Sequence, residues 1–109
     1  MTSQPASPLS VGLVFEIGFP TFTPRISIHS ARVLTVDIVD GDDVSFSDTV
    51  EYEAVPLREG LVMLTWQEHI GSTIVHVLDF NSAQAHTAVT PAEGDFMRLT
   101  GRFEVKAGA

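Results

Sequence analysis

The 109-residue chain contains no cysteine, a single lysine (Lys106), a single tyrosine (Tyr52) and a single tryptophan (Trp66). Without cysteine there can be no disulfide, thiolate metal site or thiol nucleophile. The composition therefore fits a reducing compartment, and a cytoplasmic location is expected. Positive charge is scarce too: six Lys and Arg stand against fourteen Asp and Glu, a formal net charge of −8. No basic stripe is available to neutralise phosphates, which argues against nucleic acid or an anionic membrane as partner. No apolar run approaches the ~20 residues of a membrane span. The opening MTSQPASPLS lacks the basic and apolar regions of a secretory signal, so residues 1–10 are expected to be a flexible arm ahead of a domain spanning residues 11–106. Nucleotide loops, nucleophile elbows and Rossmann turns are absent. His29, His69, His76 and His86 have no local metal-binding spacing, and the DGDD cluster at Asp40 to Asp43 lacks the calcium-loop pattern, so neither a metal nor a cofactor is expected.

The residues that are present favour strands. With 44% hydrophobic and 18% charged residues, the chain is too apolar for disorder. At this length a single domain can bury about 65% of its unfolded surface. Val11, Leu13, Phe15, Ile17 and Phe19 alternate with Gly12, Val14, Glu16 and Gly18, the period of a half-buried strand. Pro20 and Pro24 bracket a break, and alternation resumes over Arg25 to His29 and Arg32 to Val39. Further strands are expected at Val50 to Leu57, Leu61 to about Glu68, Thr73 to Phe80, Ala83 to Val89 and Phe96 to Val105. No segment sustains a 3.6-residue period, and no repeat is present. About eight short strands joined by tight turns leave a sandwich or a barrel. A single antiparallel up-and-down eight-stranded β-barrel is favoured, because sequential hairpins need no crossover and closure removes exposed edges.

The segment LVMLTWQEHIGSTIVHVLDF, Leu61 to Phe80, forms a hairpin with its turn near Gly71. Pairing Ser72 with His69 sets Glu68 opposite Thr73 and Trp66 opposite Val75, which puts Trp66, Glu68 and Thr73 on one face. A three-residue loop ending at Gly60 pairs Leu57 with Leu61 and sets Tyr52 opposite Trp66 on that same face. A carboxylate beside an indole is costly unless it is solvated, paired or functional. Glu68 either faces an apolar interior, where desolvation would make it a general acid or base, or points into water at the barrel mouth. His76 is expected on the opposite face. His86 joins the Glu68 face if the turn at Asn81 and Ser82 has two residues, and leaves it if the loop has three. Asp79 is expected to accept hydrogen bonds at the rim, and Arg25 and Arg32 are candidates to counter a ligand carboxylate.

Within EYEAVPLREGLVMLTWQEHIGSTIVHVLDF, Glu51 to Phe80, the Y-E-A strand, the W-x-E, the G-x-T turn and the V-x-D-F ending resemble the MoaF-like family of small calycin-type barrels. The likeness extends to the terminal strand with Gly101. It implies a lipocalin-like barrel with a ligand cavity, and no particular reaction or metal. A more distant likeness, through W-x-E-x-x-G, is to bacterial phenolic acid decarboxylases, where a glutamate in the position of Glu68 acts in the cavity. Those enzymes use a tyrosine pair, whereas this chain has Tyr52 alone and phenylalanines at Phe15 and Phe19, so hydroxycinnamate decarboxylation is not expected.

These observations predict a small-molecule-binding barrel whose cavity holds Glu68 as proton-transfer group and Tyr52, Trp66, Thr73 and His86 as ligand-binding groups. The guest is a small apolar or aromatic molecule. A cofactor-free lyase, isomerase or cyclase step is the expected chemistry, against a non-catalytic carrier or interaction module. On the face away from Glu68, Val55, Leu57, Leu61, Met63, Ile74, Leu78 and Phe80 make an apolar set expected to mediate a homodimer.

Overall fold

Eight alternating segments become eight strands, because burying every second side chain turns each into one stave of a wall. The computed structural model describes residues 7–108. The strands are β1 (Val14–Gly18), β2 (Phe22–Ile28), β3 (Val33–Gly41), β4 (Ser47–Arg58), β5 (Leu61–Gln67), β6 (Thr73–Asp79), β7 (Gln84–Thr90) and β8 (Met97–Ala107). Each pairs antiparallel with its neighbours in sequence and β8 returns to β1, so the sheet closes as an up-and-down barrel, and the described residues include no helix. Of the ten residues read as an arm, residues 1–6 lie outside those described, and Leu9 is buried in the core.

The interior is packed. Phe15, Ile17, Ile26, Ile28, Leu34, Val62, Leu64 and Leu78 are fully buried, each contributing about 1.5–3 kcal/mol by leaving water. Phe15, Phe80 and Phe103 meet edge-on or tilted, with centroids 4.8–5.9 Å apart. Two prolines sit inside strands, and each lies at a register shift that absorbs its missing N–H: Pro24 in β2 and Pro56 in β4. Pro24 therefore does not end a break, and β2 begins at Phe22.

The β4–β5 register places Tyr52 opposite Trp66 as expected. The Leu57–Leu61 pair is replaced by Arg58–Leu61, because the shift after Pro56 leaves a two-residue Glu59–Gly60 turn. In the β5–β6 hairpin Glu68 N–H donates to the Ser72 carbonyl and Gly71 N–H to the Glu68 carbonyl. The Glu68–Ser72 pairing leaves three residues, 69–71, in the loop, whose positive φ of +99 falls on Gly71. Trp66 consequently faces Ile74, and Gln67 faces Thr73.

That shift of one residue turns over the whole second arm. Ile74, His76 and Leu78 point inward and are buried, whereas Thr73 is exposed on the outside and Val75 and Val77 lie half-buried there. The outer apolar set thereby loses Ile74 and Leu78 to the core, and Phe80 packs on Phe15 and Phe103. Val55 and Leu57 remain exposed, and Leu61 and Met63 half-buried.

Candidate functional site

Four connections lie at one end of the barrel: 19–21, 42–46, 68–72 and 91–96. They surround an open cup of about 650 Å³. Its apolar wall includes Phe22, Ile38, Phe46, Ile74, Val89 and Met97, and its polar groups are Asp43, Glu68, Ser72 and Glu93. The volume is in the range of small-molecule sites, although the cup is a mouth rather than a shaft through the barrel.

Beneath the lining residues Phe22 and Ile74 lies a layer of rings that does not itself line the cup. Phe19 lies 5.3 Å from Phe22, stacks at 6.4 Å on His76, and His76 lies 5.0 Å from Trp66. His76 and Thr87 stand one inward position deeper than Ile74 and Val89. The His76 Nδ1 and Thr87 Oγ1 are 2.6 Å apart. Burial of His76 pulls its pKa down to about 3, so the ring is neutral at physiological pH.

Glu68 is held where β5 ends. The Trp66 indole N–H donates to its Oε2 at 3.2 Å, linking the last inward residue of β5 to the first residue beyond the strand. Burial pushes the Glu68 carboxyl above its ordinary range. The Trp66 hydrogen bond pulls it back, and the nearby Asp48 charge adds to the rise. Asp48 is itself fixed by His69, which donates its backbone N–H at 2.8 Å and places Nδ1 2.7 Å away. The loop carrying Glu68 is thus tied to β4.

Ser72 is 7% exposed, and among the described residues none of the side-chain hydrogen bonds at this end of the barrel involves its hydroxyl. Among those residues no side-chain nitrogen or oxygen is both sealed and unpaired. The Ser72 hydroxyl therefore opens into the cup it lines. Opposite, the loop 42–46 is backbone-strained: Gly41, Asp43 and Ser45 have φ of 83°, 61° and 82°. Two of these are not glycine, and in Asp43 and Ser45 the left-handed backbone folds the chain back sharply between β3 and β4.

The five expected site residues separate. Glu68 lines the cup and Trp66 supports it. Tyr52 faces inward, but its hydroxyl donates to the Ser30 carbonyl at 2.7 Å, so it pins the β2–β3 connection. Thr73 lies outside, beside a separate dent of about 300 Å³. His86 is opposite Val77, as the two-residue turn requires, yet Val77 itself faces outward and takes His86 with it. Arg25 is bound to Glu16 on the outer wall, and Arg58 to Asp79 at the opposite end.

His76, Ser72, Asp43 and Glu93 were not anticipated at the site. Placing His76 required the true register, and the others sit in connections whose only sequence signal is that they turn. Among the described residues no three His, Cys, Asp or Glu side chains gather as a metal ion requires.

No curated protein matches the chain. Among solved structures, the barrel is similar to the crystal structure described as that of "a putative beta-lactamase from Burkholderia vietnamiensis". The TM-score is 0.85 at 30% identity, covering 95% of this chain and 99% of that one. The MoaF-like family model matches residues 11–104, so an eight-stranded barrel, a W-x-E strand end and a closely similar solved fold converge: the chain belongs to the MoaF-like family.

Proposed function

We propose that the protein binds a small apolar or aromatic molecule in the cup, and that Glu68 exchanges a proton with it in a cofactor-free lyase, isomerase or cyclase step. The observation that carries this reading is a half-buried carboxyl, raised in pKa and oriented by an indole N–H, on the wall of an otherwise apolar cup. Desolvation moves such a group toward the pKa at which it gives and takes protons readily. Phe22, Phe46 and Met97 supply contact area, and the Ser72 hydroxyl is free to orient a substrate oxygen or nitrogen.

The β-lactam chemistry named for the Burkholderia protein is not carried over. A serine route of the S-x-x-K kind needs a lysine next to the nucleophile, and Lys106 is paired with Glu104 on β8. The Ser72 hydroxyl has no basic partner. A second reading, a non-catalytic carrier or homodimeric interaction module, is favoured by one fact: Glu68 has no His, Lys or Tyr beside it in the cup to complete an acid–base pair.

Glu68→Gln separates the two. It keeps the shape and the acceptor for Trp66, so folding is retained. Proton transfer predicts that turnover of any substrate found in a metabolite screen falls by at least about 10²-fold with guest binding preserved. Unchanged turnover would leave the carrier reading alone.

A further inference from the structure

The cup carries charge of only one sign. Asp43, Glu68 and Glu93 line it, and no Lys, Arg or His does. Its four surrounding connections hold Asp42, Asp43, Glu68, Glu93 and Asp95 and contain no Lys or Arg; their only histidine, His69, is engaged by Asp48. The six basic side chains are placed elsewhere. None of them lines the cup: Arg25, Arg102 and Lys106 lie along the walls, Arg32 and Arg58 at the opposite end, and Arg98, second in β8, on the outer side of the rim. Arg98, the cation nearest the mouth in sequence, lies over the Phe96 ring at 4.8 Å.

Acidic side chains alone would signal only solubility. Here they surround an apolar, aromatic cup lined by Ser72, a residue only 7% exposed whose hydroxyl is unsealed and has no hydrogen-bond partner among the described residues. A carboxylate guest would meet like charges with no counterion, and a neutral guest would leave Glu68 uncompensated. A guest with one positive charge on an apolar body meets each kind of group: hydrocarbon against Phe22, Phe46, Ile74 and Met97, an ammonium toward Glu68 in the acidic surroundings set by Asp43 and Glu93, and an N–H to Ser72.

Resting on the cup as the binding site, we infer that its guest is a protonated organic amine with an aliphatic or aromatic body. The exposed Val44 and Ile70 at the rim extend the apolar path to the entrance.

The test uses the full chain and isothermal titration with three probes of one shape: 4-phenylbutylamine, 4-phenylbutan-1-ol and 4-phenylbutanoate. Methylammonium serves as a cation without a body. The amine is expected to bind about five- to tenfold more tightly than the alcohol, with the carboxylate and methylammonium weakest. Glu68→Gln combined with Asp43→Asn is expected to erase the preference for amine over alcohol while the alcohol still binds. If alcohol and amine bind the wild type equally, the charge inference is overturned and the cup survives. If methylammonium binds as well as the amine, an acidic surface rather than the cup is responsible, and the inference is again overturned. If none of the probes binds, both this inference and the binding reading fall.

Discussion

The indole N–H of Trp66 and the Oε2 of Glu68, 3.2 Å apart and two residues apart in sequence, couple the last inward position of β5 to the rim of the cup. This hydrogen bond opposes the rise that burial imposes on the carboxyl's pKa. Trp66→Phe retains the ring and removes the donor, so the Glu68 carboxyl should rise further in pKa, read by carboxyl-carbon NMR titration. An unchanged midpoint would mean that the bond is not maintained in solution.

Glu68 is raised in the folded state, so its ionised form costs stability above that folded pKa, and the cost fades as pH falls through it. Glu68→Gln should accordingly be more stable than wild type in urea at pH 7 and lose that advantage by pH 4. Such a gain on removing a group is the mark of a residue kept for function rather than for folding.

His76 has the opposite linkage. Its folded pKa of about 3 lies below the unfolded value of 6.5, so the unfolded chain takes up the proton first. Its contribution is complete above about pH 6.5 and drains away toward pH 3, at about 1.4 kcal/mol per pH unit. Urea unfolding between pH 7 and 4 should show this slope, and His76→Gln, which can still bond Thr87, should flatten it. An equal slope in the variant would assign acid sensitivity to the carboxylates instead.

Gly41 ends β3 at φ +83, and a Cβ there would collide with the Thr21 carbonyl. Gly41→Ala should cost about 1–3 kcal/mol from the backbone conformation alone, with the collision adding to it. It should also displace Asp43 and Phe46 and weaken guest binding. A variant with wild-type stability would show that the loop is free to move.

Thr73 and His86 face outward. Thr73→Ala and His86→Ala should each change stability by less than about 0.5 kcal/mol and leave guest affinity as it was. Loss of affinity in either would place a binding surface on the outer wall.

The wall of this barrel was legible in its sequence because period-two alternation is a local property, and the Tyr52–Trp66 pairing followed from a fixed index sum. The hairpin after Glu68 was legible only to within one residue. A two-residue type I′ loop would force β-branched Ile70 as well as Gly71 to positive φ, whereas the three-residue loop asks it of Gly71 and not of Ile70, and that choice decides which of Thr73 and His76 enters the barrel. The cup itself was not legible. DGDD and PAEGD each announce a turn, and only closure of β8 onto β1 brings Asp43 and Glu93 to the mouth that holds Glu68. Tyr52 was placed on the correct face, but its hydroxyl is taken by Ser30, a partner set by strand stagger rather than by spacing.

Because the chain has one tryptophan, it gives one indole N–H resonance, and that proton points at Glu68. Titrating 15N-labelled protein with 4-phenylbutan-1-ol should shift this peak saturably, together with the amides of Ser72, Ile74 and Val89, and leave those of Val55 and Val77 on the outer wall in place. Shifts confined to the outer wall, or an indole peak that never moves, would contradict a guest site at the cup.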